Sequence, residues 1–318
     1  MGHIRRSMLL SDALADRYEV IFIMKNYSDG VAFVQNSGRQ TEVIDVTDDD
    51  DETLISLCDR HAPQKVIFDL YANNYSLFFD YARSNRVKTI VFDIIGKCRG
   101  VPDVLINDSF VEEFTDYRQL SGRTALYTGP DYFLIDRPYS IPPIHTYVRE
   151  IMVTMGGSDP AGLTGKILSS LVKINAPDCT INVVLGPAFS AHGEIDDLAR
   201  SHDCITVYKN PLDFLELLSR QDIVITAAGR TLYECAYFGR PVIIVPSIDH
   251  ETITAKAYAE RTGSFNIGLW NDATSPYAII DRVNSYRDYL FRKEIFNVSR
   301  KLIDGNGLKR VLRAIEAI

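Results

Sequence analysis

The chain has 318 residues, about two domains at the usual ~100–200 residues each. With 46% hydrophobic and 24% charged residues it has the make-up of a folded globular protein, not of a disordered or fibrous one. Its 34 Lys and Arg against 42 Asp and Glu give a net charge of −8 with no basic block, so neither nucleic acid nor an anionic membrane surface is an expected partner.

No apolar stretch approaches the ~20 residues that cross a bilayer, and no basic-then-apolar leader opens the chain. The five cysteines, Cys58, Cys98, Cys179, Cys204 and Cys235, are scattered without a CxxC pair, which argues against a disulfide framework or a structural zinc site. A cytoplasmic location is the expectation.

A helical pattern runs from about Arg5 to Arg17, directly after Met1-Gly2-His3. A doubly wound domain normally opens with a strand, so the first strand is expected to be missing here. Strands follow near Glu19–Met24, Thr41–Val46, Lys65–Asp69, Lys88–Asp93 and Asp103–Asn107, with helices such as Thr53–Arg60 and Tyr75–Arg83 between them. The strands are nearly continuous in Val, Ile and Phe, the mark of a parallel sheet buried on both faces. The acidic run Asp48–Glu52 reads as a solvated helix start. Pro138, Pro142 and Pro143 lie between Arg137 and Tyr147, a segment that reads as the interdomain linker.

The pattern then restarts with strands at Glu150–Met155, Thr180–Leu185, Ile205–Tyr208, Asp222–Thr226 and Pro241–Pro246, and helices from Gly162, Leu212, Arg230 and Glu251. From Tyr286 to Ile318 two helical segments are broken at Asp304-Gly305-Asn306-Gly307. The expected architecture is α/β, with two doubly wound Rossmann-like domains, residues 1–140 and 148–318, facing across a cleft.

Three strand-to-helix junctions carry glycines and small polar residues, where helix starts can hold an anionic ligand. In MGGSDP (Met155 to Pro160), Gly156 and Gly157 permit close backbone approach and Ser158 or Asp159 can cap the next helix. In TAAGRTLYE (Thr226 to Glu234), Ala228 and Gly229 lead into a helix whose amides at Arg230 and Thr231 can hold a diphosphate, while Glu234 can accept from ribose hydroxyls. In LGPAF the relevant residue is Gly186. Each alone reads more readily as a tight turn than as a ligand loop; together they point to a nucleotide. No GxGxxG follows a strand, and GxxxxGK[ST], GxSxG and HExxH are all missing. The six histidines are dispersed, so no metal site is expected.

His3 stands at the entrance to the first helix, either as a general base or as a frayed terminal residue. His250, beside Asp249 and Glu251, either faces the site or merely starts a helix. Tyr71 follows the strand KVIFD as a substrate contact or a rim aromatic, and Asp69 and Asp93 end strands as caps or site groups.

Taken together, GHIRR, DLY at Asp69–Tyr71, YTGPDY at Tyr127–Tyr132, MGGSDP, TAAGRTLYE and LIDGNG at Leu302–Gly307 resemble the UDP-sugar hydrolases of pseudaminic acid biosynthesis and the SpsG-like spore-coat polysaccharide proteins related to them. The resemblance runs from His3 to about Val311. It implies a GT-B fold with UDP on the C-terminal domain, and metal-independent, inverting cleavage of the anomeric C–O bond of a UDP-diacetamido-trideoxy sugar. No cofactor is implied. By position, His3 would activate water, Tyr71 would lie next to the sugar, Gly229–Thr231 would take the diphosphate and Glu234 the ribose.

Two departures stand out: His250-Glu251 replaces the family's Asn-Gln pair, and the strand before Gly2 is missing, for which a fused or separate N-terminal partner is another source. A GT-B glycosyltransferase and a non-catalytic nucleotide-sugar binding protein are the alternative readings.

Overall fold

The computed structural model describes residues 2–47, 50–70, 75–93, 96, 98–111, 114, 116–120, 122–135, 139–173 and 179–318. The chain forms two compact units, Met1–Asp136 together with Gly305–Ile318, and Arg137–Asp304.

The first unit opens with helix α1 (Gly2–Leu14), whose buried residues Arg6, Leu10, Ser11 and Leu14 recur at helical spacing. It continues through β1 (Phe22–Lys25), α2 (Ser28–Gln35), β2 (Thr41–Ile44), α3 (Asp51–His61), β3 (Lys65–Asp69), α4 (Ser76–Ser84), β4 (Lys88–Phe92), β5 (Val104–Asn107) and β6 (Ala125–Thr128). Helix α3 explains the acidic run: the Asp50 carboxylate accepts from the Thr53 amide, and Asp51 and Glu52 sit at the positive end of the dipole. The strands make two parallel sheets, β1-β2 and β3-β4-β5-β6.

The C-terminal boundary differs from the expected one. Helix α12 (Gly307–Glu316) returns to the first unit, although the sequence reading assigned it to the second domain. Its Val311, Ala314 and Ile315 join Leu10 of α1 over Ile90, Phe92, Val104 and Ile106. Burying that apolar stripe on β4 and β5 is the physical reason, and no local pattern names its partner. Gly307 sits so close that a Cβ there would lie 2.0 Å from the Phe133 carbonyl oxygen.

The second unit contains β7 (Glu150–Thr154), α5 (Leu163–Leu171), β8 (Thr180–Leu185), α6 (His192–Ser201), β9 (Ile205–Lys209), α7 (Phe214–Ser219), β10 (Ile223–Thr226), α8 (Thr231–Phe238), β11 (Val242–Ile244), α9 (Glu251–Thr262), β12 (Phe265–Asn266), α10 (Ser275–Ser285) and α11 (Tyr289–Ser299). One parallel sheet has the order β12-β11-β10-β7-β8-β9. The proline-rich segment is tied to this unit. The His145 amide donates to buried Asp222, Arg240 donates to the Pro142 carbonyl, and Arg292 donates to the carbonyls of His145 and Thr146.

Strands β6 and β12 and helices α2, α6 and α10 were not foreseen; β6 and β12 are short and lack a β-branched run.

Candidate functional site

In the second unit the chain winds outward from β7 through β8 to β9, then resumes on the other side of β7 with β10, β11 and β12. The winding direction therefore reverses between β7 and β10, which pair with Thr154 opposite Thr226 at their carboxyl ends. Open α/β sheets form their ligand crevice at such a reversal. The loops that leave these two strands are MGGSDP and TAAGR, so the topology puts two of the three glycine-bearing junctions on either side of the switch point.

Residue geometry separates their tasks. Gly156 has φ +80°, with open space where a Cβ would sit, so the chain's turn and not crowding asks for glycine. Asp159, itself at φ 47°, points both carboxylate oxygens at the start of α5 and accepts from the Leu163 and Thr164 amides at 2.8 Å each. Ser158 is exposed, so between the two capping candidates it is Asp159 that caps the helix. Gly186 is needed for close approach: a Cβ there would lie 2.5 Å from the Gly156 carbonyl oxygen and from Gly157 Cα. The Ala188 amide donates to the Gly157 carbonyl at 3.0 Å. Thus the LGPAF loop buttresses the MGG loop from the neighbouring strand.

Ala228 is buried at the end of β10, Gly229 is exposed, and Arg230, Thr231 and Glu234 are half-buried on the first turn of α8. The helix's own bonding begins with the Leu232 amide on the Gly229 carbonyl and the Tyr233 amide on that of Arg230. A helix start of this kind presents N–H groups and partial positive charge to an anion. After β11, His250 and Asp249 are exposed at the start of α9. The Asp249 carbonyl accepts from the Thr252 amide and hydroxyl, and Glu251 turns back so that one carboxylate oxygen accepts from the Ser247 amide at 2.7 Å.

The first unit assembles a second constellation, at the carboxyl ends of β3, β4 and β5. The His3 Nδ1 lies 2.6 Å from Asp69 Oδ1, joining the first turn of α1 to the last residue of β3. Arg6 donates through Nε to Asp69 Oδ2 at 2.8 Å and through Nη1 to Asp108 Oδ2 at 3.3 Å, and Nη2 also meets Asp69. The Ser7 hydroxyl donates to Asp69 Oδ2 at 3.2 Å. Arg6 is buried, its guanidinium 4.5 Å from the centre of the Phe92 ring. Nearby, Asp93 is buried and accepts from the Cys98 amide at 2.8 Å.

Charge explains the arrangement. Burial of Asp69 works against its ionisation, but the Arg6 guanidinium, aided by His3, overrides it and holds the carboxyl well below the usual carboxylate range. Burial likewise opposes the Arg6 charge, and Asp69 with Asp108 more than restores it. A carboxylate that stays ionised keeps the proton of a neutral His3 on Nδ1, which leaves Nε2 as the basic nitrogen. The imidazole is 35% exposed, so it is anchored at one nitrogen yet reachable from solvent.

His3 was legible as a candidate and Asp69 as a strand-end acid. Arg6 and Asp108 were not, although His3, Arg6 and Ser7 lie at i, i+3 and i+4 on one helix face. Tyr71 lies outside the described residues. Among the described residues, no group of three or more His, Cys, Asp and Glu side chains is placed to hold a metal ion, and no helix is long and apolar enough to cross a membrane.

Comparison with known proteins adds the following. A family described as Protein of unknown function (DUF354) matches residues 158–258, which hold the LGPAF and TAAGRTLYE junctions whole and only the Ser158–Pro160 end of MGGSDP. The uncharacterized protein MJ1062 of Methanocaldococcus jannaschii is 28% identical over 263 residues, 77% of this chain and 52% of that protein. The spore coat polysaccharide biosynthesis protein SpsG of Bacillus subtilis is 23% identical over 322 residues, 99% of this chain and 94% of that one. The pseudaminic acid cytidylyltransferase and UDP-2,4-diacetamido-2,4,6-trideoxy-beta-L-altropyranose hydrolase of Helicobacter pylori is 29% identical over 150 residues, 47% of this chain and 27% of that protein. The chain thus spans about half of MJ1062, about a quarter of the Helicobacter protein and nearly all of SpsG. Among solved structures, Acinetobacter baumannii MurG aligns with TM-score 0.68 at 14% identity over 100% of this chain and 96% of that one. A co-structure of S. aureus MnaA with UDP aligns at 0.67 and 13% over 99% and 93%.

Proposed function

Starting from a chain that is SpsG-like, related to the pseudaminic acid hydrolase at 23–29% identity and built on the GT-B fold of MurG, we propose that this protein is a nucleotide-sugar hydrolase. Its substrate in this reading is a UDP-linked diacetamido-trideoxy sugar, the class named for the Helicobacter relative. The observation that carries it is the His3–Asp69 pair, an imidazole held at Nδ1 by a carboxylate whose ionisation Arg6 maintains.

In this mechanism the second unit takes the UDP, with the diphosphate on the amides around Gly229–Thr231 and the ribose on Glu234. The His3 Nε2 removes a proton from water as the water oxygen bonds to the anomeric carbon. The bond from that carbon to the β-phosphate oxygen breaks, and its electron pair leaves with UDP. Attack from the face opposite the leaving group inverts the anomeric centre. The helix start stabilises the charge that gathers on the β-phosphate, and one such donor is worth ~10²–10³ in rate. General-base help from His3 contributes a further ~10²–10⁴. Asp69 fixes the ring's tautomer and direction and does not itself touch substrate.

The test follows UDP release from UDP-diacetamido-trideoxy sugars without any acceptor, using wild type and His3→Ala. Release that falls ~10²-fold or more in the variant, with UDP affinity unchanged, is expected. Equal turnover in the two proteins removes His3 from the mechanism. A second reading, glycosyl transfer, is favoured by the match along nearly all of SpsG, a polysaccharide biosynthesis protein, and requires that UDP appear only when an acceptor glycan or lipid is present.

A further inference from the structure

Strand β6 (Ala125–Thr128) ends the sheet β3-β4-β5-β6, and among the described residues it pairs only with β5. The Ala125 amide donates to the Asp103 carbonyl at 2.9 Å and the Gly129 amide to that of Asn107 at 2.8 Å. Ala125, Tyr127 and Gly129 therefore face β5, and by the alternation of a parallel ladder Leu126 and Thr128 turn their N–H and C=O groups to the open side. Burial agrees. All four residues of β5 are buried, whereas Ala125, Leu126 and Thr128 are exposed, Leu126 at 44%.

Sheet edges are normally guarded against pairing by a charge, a proline, a bulge or shortness. The second unit follows that rule: β12 has two residues, and β9 ends on Lys209, which pairs with Asp196. The run Ala-Leu-Tyr-Thr of β6 has neither charge nor proline. Charges stand just outside it instead. Arg123 and Asp131, both exposed, lie four residues to either side of Tyr127. Arg310 of α12 donates to the Asp131 carbonyl at 2.9 Å and so holds that turn in place. One end of the edge is basic and the other acidic.

We propose that β6 is the self-association edge of this chain: two copies join antiparallel through β6 about a two-fold axis at Tyr127. A closed two-fold contact uses the same surface on both copies, so the edge must complement itself when reversed. This one does. Leu126 and the partner's Thr128 exchange their outward N–H and C=O groups, and Tyr127 faces the partner's Tyr127 as the non-hydrogen-bonded pair between them. Arg123 comes to the partner's Asp131, and Asp131 to the partner's Arg123, so both rims are matched in charge. A parallel approach would set Arg123 against the partner's Arg123. This self-complementarity selects a second copy over an unrelated strand. A four-residue edge buries less than the ~1,600 Å² of a standard interface, so the dimer is expected to dissociate on dilution. The inference is independent of the reaction the protein performs.

Sedimentation equilibrium of the full chain between about 1 μM and 1 mM tests it. The mean mass should rise with concentration toward twice that of one chain. Thr128→Pro removes an outward N–H that the ladder to β5 does not use, so it should abolish the dimer and leave the unfolding midpoint unchanged. Arg123→Asp should weaken association about tenfold or more, and adding Asp131→Arg should restore it, because the two ends have then exchanged sign. If Thr128→Pro disturbs the strand, the charge pair still decides, since both positions are exposed and lie outside β6. A chain that stays monomeric throughout overturns the proposal. So does a dimer that survives Thr128→Pro, an Arg123→Asp chain that associates as well as wild type, or a charge reversal that Asp131→Arg does not rescue.

Discussion

Replacing Asp69 by Asn probes the charge arithmetic of the first unit. The Asp69 side chain is 5% exposed and faces Arg6, 1% exposed, so both charges sit in a weakly screened environment. Removing one partner of such a buried pair costs ~3–5 kcal/mol, chiefly because the other charge is left behind. Asp108 still pairs with Arg6 at 3.3 Å, which sets the expectation at the low end, ~3 kcal/mol at pH 7. The pH dependence follows from the direction of the shift. The folded-state pKa of Asp69 is depressed, so its contribution is complete above the unfolded value of ~4 and is lost as pH falls below that toward the folded value. One carboxylate changes stability by at most ~1.4 kcal/mol per pH unit, so the wild-type advantage over Asp69→Asn should shrink by ~2–3 kcal/mol between pH 4 and pH 2. Urea unfolding read by hydrogen exchange of β3 to β5 measures the first unit, while fluorescence of the single tryptophan, Trp270, reports the second as an internal control. A variant as stable as wild type at pH 7, or an advantage that does not change with pH, would refute the reasoning.

Other expectations concern the remaining parts. Asp159→Ala removes the acceptor of two amides at the start of α5 and should cost ~1–2 kcal/mol in the second unit, whereas Asp159→Asn, which tolerates the left-handed φ and keeps an oxygen, should cost less; chemical denaturation followed by Trp270 checks both. Gly186→Ala drives a methyl into the Gly156–Gly157 backbone, and calorimetry should show UDP affinity weakened tenfold or more if that loop lines the nucleotide site. Ile315→Ala should lower the stability of the first unit by ~2–5 kcal/mol and leave the second unchanged, since α12 packs on β4 and β5; two resolved calorimetric transitions would separate the outcomes.

The sequence by itself carried most of the local structure. Runs of Val, Ile and Phe located β3 and β8 to the residue, and the breaks at Gly and Pro placed the starts of α5, α8 and α9 within two residues. It also carried the three glycine junctions, because a glycine after a buried strand reflects a backbone requirement that is local. Strand order is another matter. Nothing in the spacing of β7 and β10 says that they lie side by side, so only the fold could put MGGSDP and TAAGR astride one switch point. The same holds for His3 and Asp69, 66 residues apart, and for Arg6, which shares a helix face with Leu10 and Leu14 and meets its two acids on other elements of the chain. It holds again for α12, whose apolar stripe needs a partner surface that its own residues cannot specify. Periodicity reports which side of an element is buried, and the tertiary structure decides against what; the chemistry of this protein depends on the second.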